Sequence, residues 1–124
     1  MQNRKVVEWV GSSLVELRSF PADVRRVVGQ ALDDAQKGGE HPSVKALKGF
    51  GGRSILEVVD DFDGDTYRAV YTVRFAGALY VLHVFQKKSN KGIATPKHEL
   101  DLIMARLKRA EEHYRQNYMK GARL

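Results

Sequence analysis

A chain of 124 residues, 43% hydrophobic and 29% charged, has the size of one domain with a modest core and is too apolar for a disordered segment. The absence of cysteine excludes a disulfide scaffold, an iron–sulfur cluster, a thiolate zinc site and a cysteine nucleophile, and fits a reducing compartment. The net charge is +6, and residues 83–124 hold the whole excess, ten Lys/Arg against four Asp/Glu; such a field attracts polyanions, since each neutralised phosphate releases a condensed counterion.

The N-terminus opens basic, but its apolar run is too short for a signal peptide, and no stretch reaches the length of a membrane span. The expectation is a cytoplasmic protein without a membrane partner. Residues 5–10 read as a first strand, closed by Gly11. Ser12 or Ser13 then caps a short helix that stops before Pro21, because the residue before proline avoids the α region. Pro21 is expected at the first position of a second helix. Val24, Val27, Val28, Ala31, Leu32 and Ala35 recur along it at helical spacing, and Gly38-Gly39 ends it. A short link between the two helices predicts an antiparallel hairpin.

Residues 41–54 combine Gly, Pro and basic residues without a period and read as a basic loop. Three strands follow at 55–62, 67–75 and 79–87. Asp63-Gly64-Asp65 and Ala76-Gly77-Ala78 link them into an antiparallel meander. Thr95 is expected to cap a last helix with Pro96 at its first position. Its apolar stripe is Leu100, Ile103/Met104, Leu107, Ala110 and Tyr114, and it runs to about Tyr118. The basic end, residues 114–124, lacks a clear period and is expected to fray. The whole chain, 1–124, reads as a single α+β domain of order β-α-α-β-β-β-α. The helical hairpin packs on one face of a small, mainly antiparallel sheet.

The usual catalytic constellations are missing. Gly49-Phe-Gly-Gly52 lacks the GK[ST] of a phosphate loop, and His41, His83, His98 and His113 are scattered without metal spacing, so neither metal nor cofactor is expected. Asp60, Asp61, Asp63 and Asp65 surround a hairpin and read as a solvated turn. What stands out is cations interleaved with aromatics on strands. Alternation in 67–75 puts Arg68, Thr72 and Arg74 on one face, and Tyr67, Ala69, Tyr71, Val73 and Phe75 on the other. In 79–88 it groups Val81, His83, Phe85 and Lys87 against Tyr80, Leu82, Val84, Gln86 and Lys88. Each has a plain structural alternative: Arg68 as a cross-strand partner of Glu57, and His83 as a satisfied core histidine.

The order of elements and these residues together resemble the phage-derived HigB-type branch of the RelE/ParE toxin superfamily, from about Lys5 to Tyr114. The most specific match is Leu79-Tyr-Val-Leu-His-Val-Phe-Gln-Lys-Lys-Ser-Asn-Lys-Gly-Ile-Ala-Thr-Pro96. Ala46-Leu-Lys-Gly49, Leu56-Glu-Val58 and Tyr67-Arg-Ala-Val-Tyr71 support it. The resemblance implies a RelE-like fold and an mRNA endoribonuclease acting on the translating ribosome without metal, neutralised by a helix-turn-helix antitoxin. Carried over, it assigns catalysis to Lys48, Arg68, His83 and Lys87. It assigns RNA contacts to Lys45, Arg53, Lys88 and Lys91, and base stacking to Tyr71 and Phe85, with a place in the core as the equal alternative for these two. One departure is the run Glu57-Val58-Val59, where many members carry a cation or another polar residue soon after the glutamate. Relatives of the ParE kind inhibit DNA gyrase and are not nucleases, and a non-catalytic RNA-binding protein is a third reading. The oligomeric state is not set by the sequence.

Overall fold

The computed structural model describes residues 4–87 and 95–119. Its elements are β1 (Val6–Trp9), α1 (Ser13–Arg18), α2 (Ala22–Gln36), β2 (Val44–Ala46), β3 (Ile55–Phe62), β4 (Asp65–Thr72), β5 (Ala78–Lys87) and α3 (Lys97–Tyr114). The strands form one mixed sheet in the order β1-β5-β4-β3-β2. β1 runs parallel to β5, and the other pairs are antiparallel.

Local chemistry explains most boundaries. Asp63 and Gly64, with φ of 52° and 87°, form a two-residue turn between Phe62 and Asp65, so β4 begins two residues earlier than its apolar pattern. Positive φ at both central residues matches the twist of the flanking strands. β4 ends at Thr72, whose hydroxyl donates to the Ser54 carbonyl at 2.8 Å and accepts from the Arg74 N–H at 3.1 Å. Pro21 and Pro96 sit one position earlier than expected, as N-caps with ψ of 149° and 151°. Thr95 therefore does not cap α3.

The basic loop contains an element that its composition hid. Val44–Ala46 pairs with β3 as a short edge strand, flanked by Val59 N–H to Ser43 O and Leu47 N–H to Ile55 O bonds of 3.0 and 2.9 Å. At the other end, α3 gives way to a π-helical turn, Arg115–Met119, where fraying was expected. Tyr114 stacks between Phe75 and Tyr118, and its hydroxyl donates to the Ala76 carbonyl at 2.7 Å. Residues 120–124 of the expected tail lie outside the described residues.

Two cores flank the sheet. Leu17, Phe20, Val24, Val28 and Leu32 of α1, α2 and their link cover Leu56, Val58, Ala69, Tyr71, Leu79 and Val81. Ile103, Leu107 and Ala110 of α3 cover Ile55, Val70, Tyr80, Leu82 and Phe85 on the other face. Met104, expected in that stripe, is 47% exposed, and Arg106 is buried instead.

β5 departs from simple alternation. Val70 pairs with His83 but Tyr71 pairs with Val81, which leaves Leu82 as an extra, bulged residue. A bulge offsets the side-chain phase by one residue. Val81 therefore faces α1 and α2 while Phe85 faces α3, and the expected grouping of Val81 with His83 and Phe85 is overturned. Tyr80 and Leu82 likewise join Phe85 rather than Val84.

Candidate nucleic-acid interface

The buried ionisable side chains of the sheet, Glu57, Arg68 and His83, lie on the α3 face. Directly paired residues share a face, which places Lys45 beside Glu57 on β2 and β3, Arg68 beside Phe85 on β4 and β5, and Lys87 beside Thr66. Arg68 is offset diagonally from Glu57, and its guanidinium donates to Glu57 Oε1 at 2.9 Å and to Thr95 Oγ1 at 3.2 Å. The two charged side chains are only 4% and 3% exposed. Taking two charges out of water is costly, and the contact between them offsets part of that cost.

Above this pair lies a cleft of about 160 Å³, lined by Lys45, Ala46, Leu47, Lys48, Glu57, Thr95 and Leu100. β2 and the turn after it supply the two exposed lysines, β3 supplies the carboxylate, and the start of α3 supplies the fourth wall. Phosphate contacts at such a cleft need cations that water can reach, and Lys45 and Lys48 are both exposed.

His83 is 7% exposed, and both its ring nitrogens are engaged. Nε2 lies 2.6 Å from Glu99 Oε1, and Nδ1 lies 3.3 Å from the Arg106 guanidinium. Arginine only donates, so Nδ1 is the acceptor and Nε2 carries the proton given to Glu99. The ring stacks on Phe85 with centroids 4.9 Å apart. Burial holds the imidazole below its ordinary pKa of 6.5, against an upward pull from the Glu99 carboxylate.

Not all the sequence-predicted residues meet here. Lys45 and Lys48 line the cleft, Arg68 is bonded to two of its other lining residues, Glu57 and Thr95, and Phe85 and Lys87 share that face. Tyr71 does not: it is fully buried in the core under α1 and α2, the core alternative of its two readings, and is closed to a base. Arg53 is exposed and pairs with Glu40, beside a different hollow that includes Lys5, Gly38 and Val73. Lys88 and Lys91 lie outside the described residues. Sequence reasoning passed over Thr95 as an arginine acceptor, Glu57 as a cleft wall, and Glu99 and Arg106 altogether. Arg106 had a signal, because it falls on the stripe of Ile103, Leu107 and Ala110.

Among the described residues, no group of three or more His, Asp or Glu could hold a metal ion, and no helix is long and apolar enough to cross a membrane. Residues 15–108 match the family model described as phage derived protein Gp49-like (DUF891). No curated protein matches the sequence.

Proposed function

This chain belongs to the phage-derived Gp49-like family, and from that premise we propose that it is the toxin of a type II toxin–antitoxin pair. On this reading it has the RelE-like fold of the HigB-type branch and cuts mRNA on the translating ribosome without a metal. The supporting observation is the cleft in which Lys45 and Lys48 stand over the buried Glu57–Arg68 pair.

The chemistry suits those groups. The RNA 2′-oxygen bonds to the adjacent phosphorus while the bond from phosphorus to the 5′-oxygen breaks, leaving a cyclic phosphate and a free 5′-hydroxyl. The phosphorane between them carries extra negative charge, which fixed cations stabilise more than they stabilise the ground state. Lys48 and Lys45 contact phosphate, and Arg68 adds a preorganised positive charge behind them. Glu57 is the carboxylate bordering the cleft, placed to take the 2′-hydroxyl proton, and a lysine ammonium returns one to the 5′-oxygen. With both nitrogens occupied, His83 holds Phe85 rather than moving protons. Lys87 extends the cationic face, and a helix-turn-helix antitoxin is the neutralising partner.

Primer extension on cellular mRNA after induced expression tests this reading. Cuts within translated frames, lost in Lys48→Ala, are the expected result. Intact messages with DNA-damage signalling would replace it with gyrase inhibition.

A further inference from the structure

The phase of β5 decides which side chains reach the α3 face, and that phase changes at Leu82. An extra residue in a strand leaves its backbone groups out of the ladder, and a buried carbonyl without a donor is costly. Here the Leu82 carbonyl accepts from the Arg106 guanidinium at 3.0 Å. The same nitrogen reaches His83 Nδ1 at 3.3 Å, and the other terminal nitrogen reaches Ser12 Oγ at 3.3 Å.

We propose that Arg106 is a positioning residue: its guanidinium clamps the bulge of β5 to α3 and to the start of α1, and so fixes the sheet face on which Phe85 and Lys87 are presented. The surroundings are shaped for this one side chain. Arg106 is 9% exposed, and a Cβ at Gly11 would stand 3.0 Å from its Cζ, Nε and terminal nitrogen. Gly11 also has φ of +58°, so both its backbone and its lack of side chain make room. Glu99 holds the far side of the His83 ring, which leaves Leu82 and His83 gripped from α3 at two points. The charged groups acting on His83 are Glu99 and Arg106 of α3 and Glu16 of α1.

Geometry makes arginine specific here. A planar fork donates to a carbonyl, an imidazole nitrogen and a hydroxyl at once, whereas a lysine ammonium is a single point on a flexible stem. Without the clamp, the extra residue can migrate along β5, and each side chain that it passes turns to the opposite face. The clamp stands on the fold alone; its consequence for RNA cleavage rests on the nuclease reading above.

Imidazole and backbone-amide nitrogen NMR spectra of the full chain, as wild type, Arg106→Met and Arg106→Lys, test the proposal. The wild type is expected to show His83 as the single neutral form protonated at Nε2. Arg106→Met is expected to mix the two neutral forms and to shift the Phe85 and Lys87 amides, while those of β3 stay in place. A folded Arg106→Met protein with His83, Phe85 and Lys87 unchanged would overturn it. Should Arg106→Met fail to fold, Arg106→Lys decides: loss of the single Nε2-protonated form supports the clamp, and its retention overturns it. Messenger cleavage in the perturbed variant should fall on the order of 100-fold, as a misplaced group of this kind costs. If wild type itself does not cut RNA while the spectra change as expected, the nuclease reading falls and the clamp stands.

Discussion

Under α1 and α2 the sheet presents Leu56, Val58, Ala69, Leu79, Val81 and Val84, an apolar surface. Under α3 the same strands present Glu57, Arg68 and His83, each at most 7% exposed, among Ile55, Val70 and Leu82. The first face gains stability from area removed from water. The second takes on the desolvation of charges, and offsets it only through particular partners. A fold that needed nothing but a core would make both faces like the first. The charged face is thus the less simply packed of the two, and the one on which the proposed function is tested.

The strongest way to break this comparison is to split the buried pair. Arg68→Met leaves the Glu57 carboxylate 3% exposed without its arginine, and should cost about 3–5 kcal/mol in denaturant unfolding. The double variant Arg68→Met with Glu57→Leu should recover most of that stability while RNA cleavage stays absent. A single variant that loses under about 1 kcal/mol would show that this face is not strained by charge. The single substitution cannot serve alone as a catalytic test, since lost toxicity would also follow from lost folding.

Lys48 sharpens the comparison from the solvent side. It is exposed and lines the cleft, so Lys48→Ala should change stability by no more than about 0.5 kcal/mol. Cleavage should nonetheless fall on the order of 100-fold, as when one donor to a developing oxyanion is removed. Equal cleavage by the variant in a primer-extension assay would remove the cleft from the reaction.

The charged face should also be the pH-sensitive one. Burial keeps folded His83 below its ordinary pKa of 6.5, so the unfolded chain binds a proton there before the native state does. Stability should therefore fall as pH drops below about 6.5 and level off beneath the folded pKa. His83→Gln should flatten that part of the stability–pH curve, read from denaturant midpoints. An unchanged slope would mean that other groups carry it.

The sequence made one face far more legible than the other. Helical spacing placed Val24, Val28, Ala31 and Leu32 on the buried side of α2, where they are found. β3 matched its expected span, because Gly and Ser before it and Asp-Gly after it punctuate an apolar run. Period arguments failed where hydrogen bonds outrank side-chain pattern. The edge strand Val44–Ala46 is three residues in a Gly-rich basic stretch, and the parallel pairing of β1 with β5 brings together segments some 70 residues apart with no local signal. The bulge was invisible because Leu82 and His83 look alike to a two-residue period whichever carries the extra step. On the α3 face, resemblance pointed to Lys45, Lys48 and Arg68, while the bonds of Thr95, Glu99 and Arg106 emerged from three-dimensional contacts.

The smallest expected effect falls on the face under α1 and α2, at a buried tyrosine. Tyr71 is fully buried, and its hydroxyl has no hydrogen-bond partner among the described residues. Burial pushes that phenol well above its ordinary pKa, so it stays neutral and contributes no charge. An unpaired buried hydroxyl costs stability, and removing it relieves that cost without opening a cavity. Tyr71→Phe should therefore leave cleavage unchanged and stabilise the fold by about 0.5–1 kcal/mol, visible as a higher denaturant midpoint with an unchanged slope. The opposite pattern, weaker cleavage and no gain in stability, would mean that this hydroxyl serves the site through the sheet. The division of labour between the two faces would then not hold.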